Sequence, residues 1–97
     1  MTAYLIVNHN VIDAERLGAY AAAAAGPLGV GTDSKVLVAD EATEALEGTT
    51  PGTRTIVLEF ESKEKARELI NSPEYQAIAG ERLESTSDHF TILVDGL

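Results

Sequence analysis

The chain has 97 residues, 44% of them hydrophobic, no cysteine and a net charge of −9. This length makes a single domain, 1–97, whose modest core is commonly supplemented by oligomerisation. The composition excludes a disordered chain, disulfides and thiolate chemistry, and argues against nucleic acid or an anionic membrane as partner. The sixteen carboxylates are scattered, as on a solvated surface. The apolar run Ala3–Val7 is too short for a signal peptide and lacks a basic lead-in. No segment is apolar for long enough to span a bilayer, and the expected location is cytoplasmic.

Tyr4–His9 reads as a first strand, apolar on both faces for most of its length. Asp13 is a good N-cap, and a helix is predicted from Ala14 to about Ala25 with Leu17, Tyr20, Ala21 and Ala24 as its inner stripe. The Ala21–Ala25 run favours helix and has side chains small enough for close approach to a sheet. Gly26-Pro27 stops it. Gly29-Val30-Gly31 lacks the spacing and the lysine of a phosphate loop and reads as a turn. Lys35–Ala39 is a short second strand. Asp40–Gly52 is a polar connection, with room for a turn of helix or a strand extension at Ala42–Leu46.

Arg54–Phe60 carries the clearest strand signal, a β-branched and aromatic run. Alternation puts Arg54, Ile56, Leu58 and Phe60 on one face and Thr55, Val57 and Glu59 on the other. Ser62 can cap a helix whose apolar stripe is Ala66, Leu69 and Ile70. Ser72-Pro73 restarts the chain, since proline suits a first helical position, and this helix reaches about Leu83 with Tyr75, Ile78, Ala79 and Arg82 at helical spacing. Ser85-Thr86-Ser87 is expected to break it, and His89–Val94 is the last strand.

The order is β-α-β-β-α-β with the second helical segment in two pieces, the split βαβ or ferredoxin-like pattern of the α+β class, with a four-stranded antiparallel sheet. Helices cover one face of such a sheet. These strands are apolar on both faces, so the second face calls for a partner, and a second copy of the chain would supply it.

Ala3-Tyr4-Leu5-Ile6, Asp13 with Tyr20, Leu46-Glu47-Gly48, Arg54 through Glu59-Phe60, and Asn71-Ser72-Pro73-Glu74-Tyr75-Gln76 resemble Domain of Unknown Function 1330 (DUF1330), of the dimeric α+β barrel superfamily. The resemblance covers nearly the whole chain. It implies a ferredoxin-like protomer and a homodimer whose two sheets close into a barrel, and it implies no established activity. The wider superfamily includes small monooxygenases, dehydratases and stress-response proteins. Two places depart from the family pattern. Asp33-Ser34 stands where Gly-Gly is usual before the second strand, and Ala39 where an arginine is usual near its end.

Glu59 is the carboxylate of most interest. On a desolvated barrel-facing side its pKa would rise, which suits a general base near neutral pH, although an ion pair or a dimer contact is the weightier reading. Arg54, on the opposite face, can clamp a substrate carboxylate or make a surface ion pair. His9 and His89 lie at strand ends that a ferredoxin-like sheet brings to one edge, but no close-spaced ligand motif accompanies them, and no metal is expected. Asp13 reads first as a helix cap. Tyr20 and Tyr75 read first as core residues with a hydroxyl seeking a partner. Asp13, His9, Tyr20 and Tyr75 are nonetheless the candidate ligand-binding residues, and Glu59 and Arg54 the candidate catalytic ones.

No cofactor fingerprint is present, and no cofactor is expected. The expected function is binding of a small apolar or weakly polar ligand in the cavity between the sheet and its partner. The alternative is a cofactor-free enzyme with monooxygenase-, isomerase- or dehydratase-like acid/base chemistry. In that version Glu59 is the base, Arg54 orients the substrate, and Tyr20 or Tyr75 donates a hydrogen bond.

Overall fold

A computed structural model of the chain describes residues 1–48 and 52–97. The elements run β1 (Ala3–Val11), α1 (Ala14–Ala24), β2 (Ser34–Asp40), β3 (Arg54–Phe60), α2 (Lys63–Ile70), α3 (Pro73–Ser85) and β4 (Thr86–Asp95). The sheet order is β2-β3-β1-β4, with β3 and β4 both antiparallel to β1 and β2 antiparallel to β3. Each strand–helix–strand unit is therefore split by a strand of the other, and the fold is α+β and ferredoxin-like. Among the described residues no helix is long and apolar enough to cross a membrane.

Three side-chain caps set the helix starts. Asp13 accepts from the Arg16 amide, Ser62 from the Lys65 amide and Ser72 from the Tyr75 amide. Each satisfies one of the first-turn N–H groups that a helix leaves without a partner. The core lies on the helix face of the sheet, where Leu5, Val7, Leu58 and Phe60 meet Ala24, Leu28, Ala66 and Tyr75. The other face is open. Phe90 and Ile92 are each 46% exposed there, and Val38 39%.

Several boundaries differ from the sequence-based expectations. The helix does end at Ser85-Thr86-Ser87, but no loop follows: α3 runs through Ser85 and β4 begins at Thr86, ahead of the expected His89. The Ser85 hydroxyl donates to the Glu81 carbonyl and the Thr86 hydroxyl to the Arg82 carbonyl, at 2.7 Å each. These bonds satisfy carbonyls that the end of α3 would otherwise leave free. Ala42–Leu46 forms neither helix nor strand. Thr49, Thr50 and Pro51, read as part of the β2–β3 connection, lie outside the described residues.

The alanine-rich face of α1 does not settle onto the sheet. The helix packs mainly against α3, and Arg16 reaches across to Glu81 and Glu84. Alanine offers little side-chain surface to bury, so the contacts of the longer side chains decide where the helix leans.

The chain returns to β3 through one close contact. The buried Asn8 side chain accepts from the Gly52 amide at 2.7 Å and donates to the Gly52 carbonyl at 3.0 Å. A Cβ at Gly52 would stand 2.2 Å from the His9 carbonyl carbon. Gly80 of α3 has nothing within 4 Å of an added Cβ. Gly52→Ala is expected to destabilise by about 1–3 kcal/mol through overpacking. Gly80→Ala is expected to stabilise by roughly 0.5–1 kcal/mol through backbone entropy. Urea denaturation of the two variants should shift the midpoint in opposite directions.

Candidate functional site

Between the helices and the sheet lies a cavity of ≈ 470 Å³. Its floor is Leu5, Val7, Ile56 and Leu58 of the central strands, and its roof includes Ala21, Ala24 and Ala25 of α1. Leu28 and Ile70 also line it. Held against α3, α1 presents the methyl groups of its alanines and the Tyr20 side chain to this space. The ligand space expected between the sheet and a partner thus has its counterpart beneath the helices, where short side chains leave room.

Polar groups converge on this apolar space. His9 and Arg54 are directly opposite one another on β1 and β3 and point to the helix face. An Arg54 Nη1–H donates to His9 Nε2 at 3.1 Å, and Arg54 Nε–H donates to Glu41 at 3.0 Å. A guanidinium only donates, so His9 Nε2 is the acceptor and the ring proton sits on Nδ1. That Nδ1 is buried with no partner among the described residues. Burial, and then the charges of Arg54 and Arg82 with a contribution from His89, push the His9 pKa down to about 4, while Glu41 opposes them weakly. His9 is neutral at pH 7.

Tyr20 of α1 and Tyr75 of α3 join their hydroxyls at 2.7 Å and pack edge to face with ring centroids 6.3 Å apart. Burial, and then the Tyr75 hydroxyl, raise the Tyr20 pKa above the usual phenol range, so the Tyr20 phenol stays protonated. Arg82 lies close enough to the Tyr20 hydroxyl to pull in the opposite direction. Arg82, Gln76 and Thr91 also line the cavity and are additional to the residues singled out by sequence. Arg82 had a legible signal, since it falls on the same helical stripe as Tyr75, Ile78 and Ala79, where a cation is out of place unless it has work to do.

The candidate residues divide between two faces. His9, Arg54, Tyr20 and Tyr75 line the cavity together. Asp13 caps α1, accepting from Arg16 at 3.0 Å, and lies outside the cavity lining. Glu59 pairs in register with Tyr4 and Lys35 on the open face, so the sheet separates it from Arg54 and from the cavity. His89 is exposed on β4 beside a bulge, where His9 faces two residues and Asp88 adopts a positive φ of 51°. Among the described residues no group of three or more His, Cys, Asp or Glu could hold a metal.

Residues 2–97 match the family described as Domain of unknown function (DUF1330). No curated protein matches the chain. Among solved structures it is similar to a protein of unknown function from Rhodopseudomonas palustris, RPA0582, with TM-score 0.79 and 17% identity, covering 99% of this chain and 82% of that one. A dimeric ferredoxin-like protein of unknown function from Thermobifida fusca gives TM-score 0.62 and 12% identity, covering 99% and 92%. SnoaB from Streptomyces nogalater, a cofactor-independent oxygenase, gives TM-score 0.65 and 11% identity, covering 98% and 92%. At these identities the likeness is one of fold.

The buried neutral histidine makes stability depend on pH. Its folded pKa of about 4 lies below the unfolded value of 6.5. The unfolded chain therefore binds the extra proton first as pH falls, and stability present above 6.5 is lost on the way down to about 4. The loss attributable to this group is on the order of 3 kcal/mol. Chemical denaturation from pH 7 to 4 should show a shallower fall for His9→Gln than for the wild type. Parallel curves would remove His9 from this role.

Proposed function

The chain belongs to the DUF1330 family, and from that membership and the site we propose that it is a homodimeric protein that binds a small, largely apolar ligand in the cavity between helices and sheet. The observation that carries the reading is the ≈ 470 Å³ apolar cavity with a few polar groups turned into it. Ligand sites characteristically combine an apolar lining with a small number of placed polar groups. In this reading the partner takes the open face instead, where Phe90, Ile92 and Val38 are exposed. Two such faces packed against each other form a closed two-layer core. Neighbours described as dimeric support this pairing. Glu59 then belongs to the dimer interface.

A second reading, a cofactor-free enzyme, draws on the polar cluster and on the fold shared with SnoaB, a cofactor-independent oxygenase. The cavity residues suit one part of such chemistry. Arg54 and Arg82 can stabilise a developing anion, and the Tyr20–Tyr75 pair can donate a hydrogen bond. They do not supply a strong base: no carboxylate lines the cavity among the described residues, and the His9 Nε2 lone pair is engaged by Arg54. Binding is therefore the better-supported function.

Two measurements test the proposal. Sedimentation should give twice the chain mass for the wild type and a monomer for Ile92→Glu, which places a charge in the apolar contact. A wild-type monomer at micromolar concentration would sink the dimer. Ala39 lines the cavity from the exposed strand β2, so Ala39→Trp fills it with little risk to the core. Fluorescence titration with neutral 2-naphthamide should show binding to the wild type and at least about tenfold weaker binding to the variant, the expected effect of lost apolar contact. No binding of either this amide or 2-naphthoate to the wild type, or unchanged affinity in the variant, would refute the cavity as the site.

A further inference from the structure

The cavity holds two guanidinium groups in a protein whose net charge is −9. Arg54 rises from the start of β3 in the floor and Arg82 descends from α3 in the roof. Both lie near enough to His9 to act on its charge, so they face a common space. Lys63, Lys65, Arg67 and Arg16 are all engaged by carboxylates on the surface. Arg82 has no carboxylate within ion-pair distance among the described residues.

Arg54 has one such partner, Glu41, and it approaches from outside. The Glu41 side chain is 70% exposed and that of Arg54 18%. The hydrogen bonds to Glu41 and His9 use the Nε–H and one Nη1–H, leaving the remaining N–H donors of Arg54 without a partner among the described residues. His9 adds no positive charge, because it is neutral. It acts as a positioning residue, its Nε2 holding the guanidinium plane against the sheet. The charge count at the cavity is then two guanidinium groups against the one carboxylate of Glu41. An uncompensated guanidinium beside an apolar space carries a desolvation penalty that a ligand anion would offset.

We propose that the ligand carries a single carboxylate, held between Arg54 and Arg82, on an apolar body lying against Leu5, Leu28 and Leu58. This rests on the binding function proposed above. A carboxylate matches the planar fork of a guanidinium in a way that a hydroxyl or an amide does not. One negative charge balances the cavity, whereas a diacid would place a second charge against apolar side chains. The Tyr20–Tyr75 hydroxyl pair, beside Arg82, offers a further donor to the same head group.

The test uses 2-naphthoate and its neutral isostere 2-naphthamide, titrated into the full chain at pH 7.5. The naphthoate is expected to bind at least about tenfold more tightly, the low end of what a charge-assisted hydrogen bond contributes. Arg82→Gln should remove most of that preference by weakening naphthoate binding more than naphthamide binding. Arg82 makes no ion pair among the described residues, so the variant removes no surface bridge, and a thermal melt checks that it folds. Arg54→Gln should act in the same sense. Equal affinity of the two probes, or a preference unaffected by Arg82→Gln, would overturn the carboxylate while leaving the binding function standing. Failure of both probes to bind would overturn both.

Discussion

Everything distinctive about the molecule follows from where α1 leans. Tyr20 and Tyr75 clasp α1 to α3 through a 2.7 Å hydroxyl bond and an edge-to-face contact. Arg16 ties the start of α1 to Glu81 and Glu84. Neither set of contacts pulls the helix toward the sheet. The residues that face the sheet are alanines, which lack the volume to fill the gap. The gap is a cleft of ≈ 470 Å³ that opens to solvent beside Val30, Val36 and Leu83, all partly exposed. Longer side chains at Ala21 or Ala24 would close it.

The electrostatics follow the same division between surface and interior. On the outside, carboxylates outnumber cations, and most cations are met by ion pairs whose exposure makes each worth little. Inside, the order reverses. The cavity lining carries two arginines and no carboxylate among the described residues. Burial keeps His9 neutral, and its bond to Arg54 places the remaining ring proton on Nδ1. One interaction therefore sets the orientation of the guanidinium and the tautomer of the histidine together.

The two faces of the sheet have separate assignments because strand side chains alternate. His9, Arg54 and Leu58 point beneath the helices, while their neighbours Asn8, Thr55 and Glu59 point to the open face. Asn8 uses its position there to fasten Gly52, which lies against the His9 backbone. The start of β3, and with it Arg54, is thereby seated from the face opposite the cavity. A contact on the open face thus positions a group on the helix face.

Local chemistry made much of this legible. The strand at Arg54–Phe60, the caps at Asp13 and Ser62 and the split of the second helical segment at Ser72-Pro73 rest on propensity, alternation and hydrogen bonds that span a turn or less. The family resemblance rests on the same segments. Alternation also separated Glu59 from Arg54. What it did not determine was which face holds the space, since an alanine-lined helix is equally compatible with close approach and with a gap. That choice was made by Tyr20, Arg16, Tyr75 and Glu81, side chains 55 to 65 positions apart in the chain that meet only in the folded state. The same holds for Arg82, whose helical spacing was visible but whose neighbours His9 and Tyr20 come from two other elements. The sequence by itself determined the elements, their order and the side of each strand on which a residue stands. Only the tertiary structure decided that α1 leans away from the sheet and which polar groups turn into the gap, because both depend on contacts between residues remote in sequence.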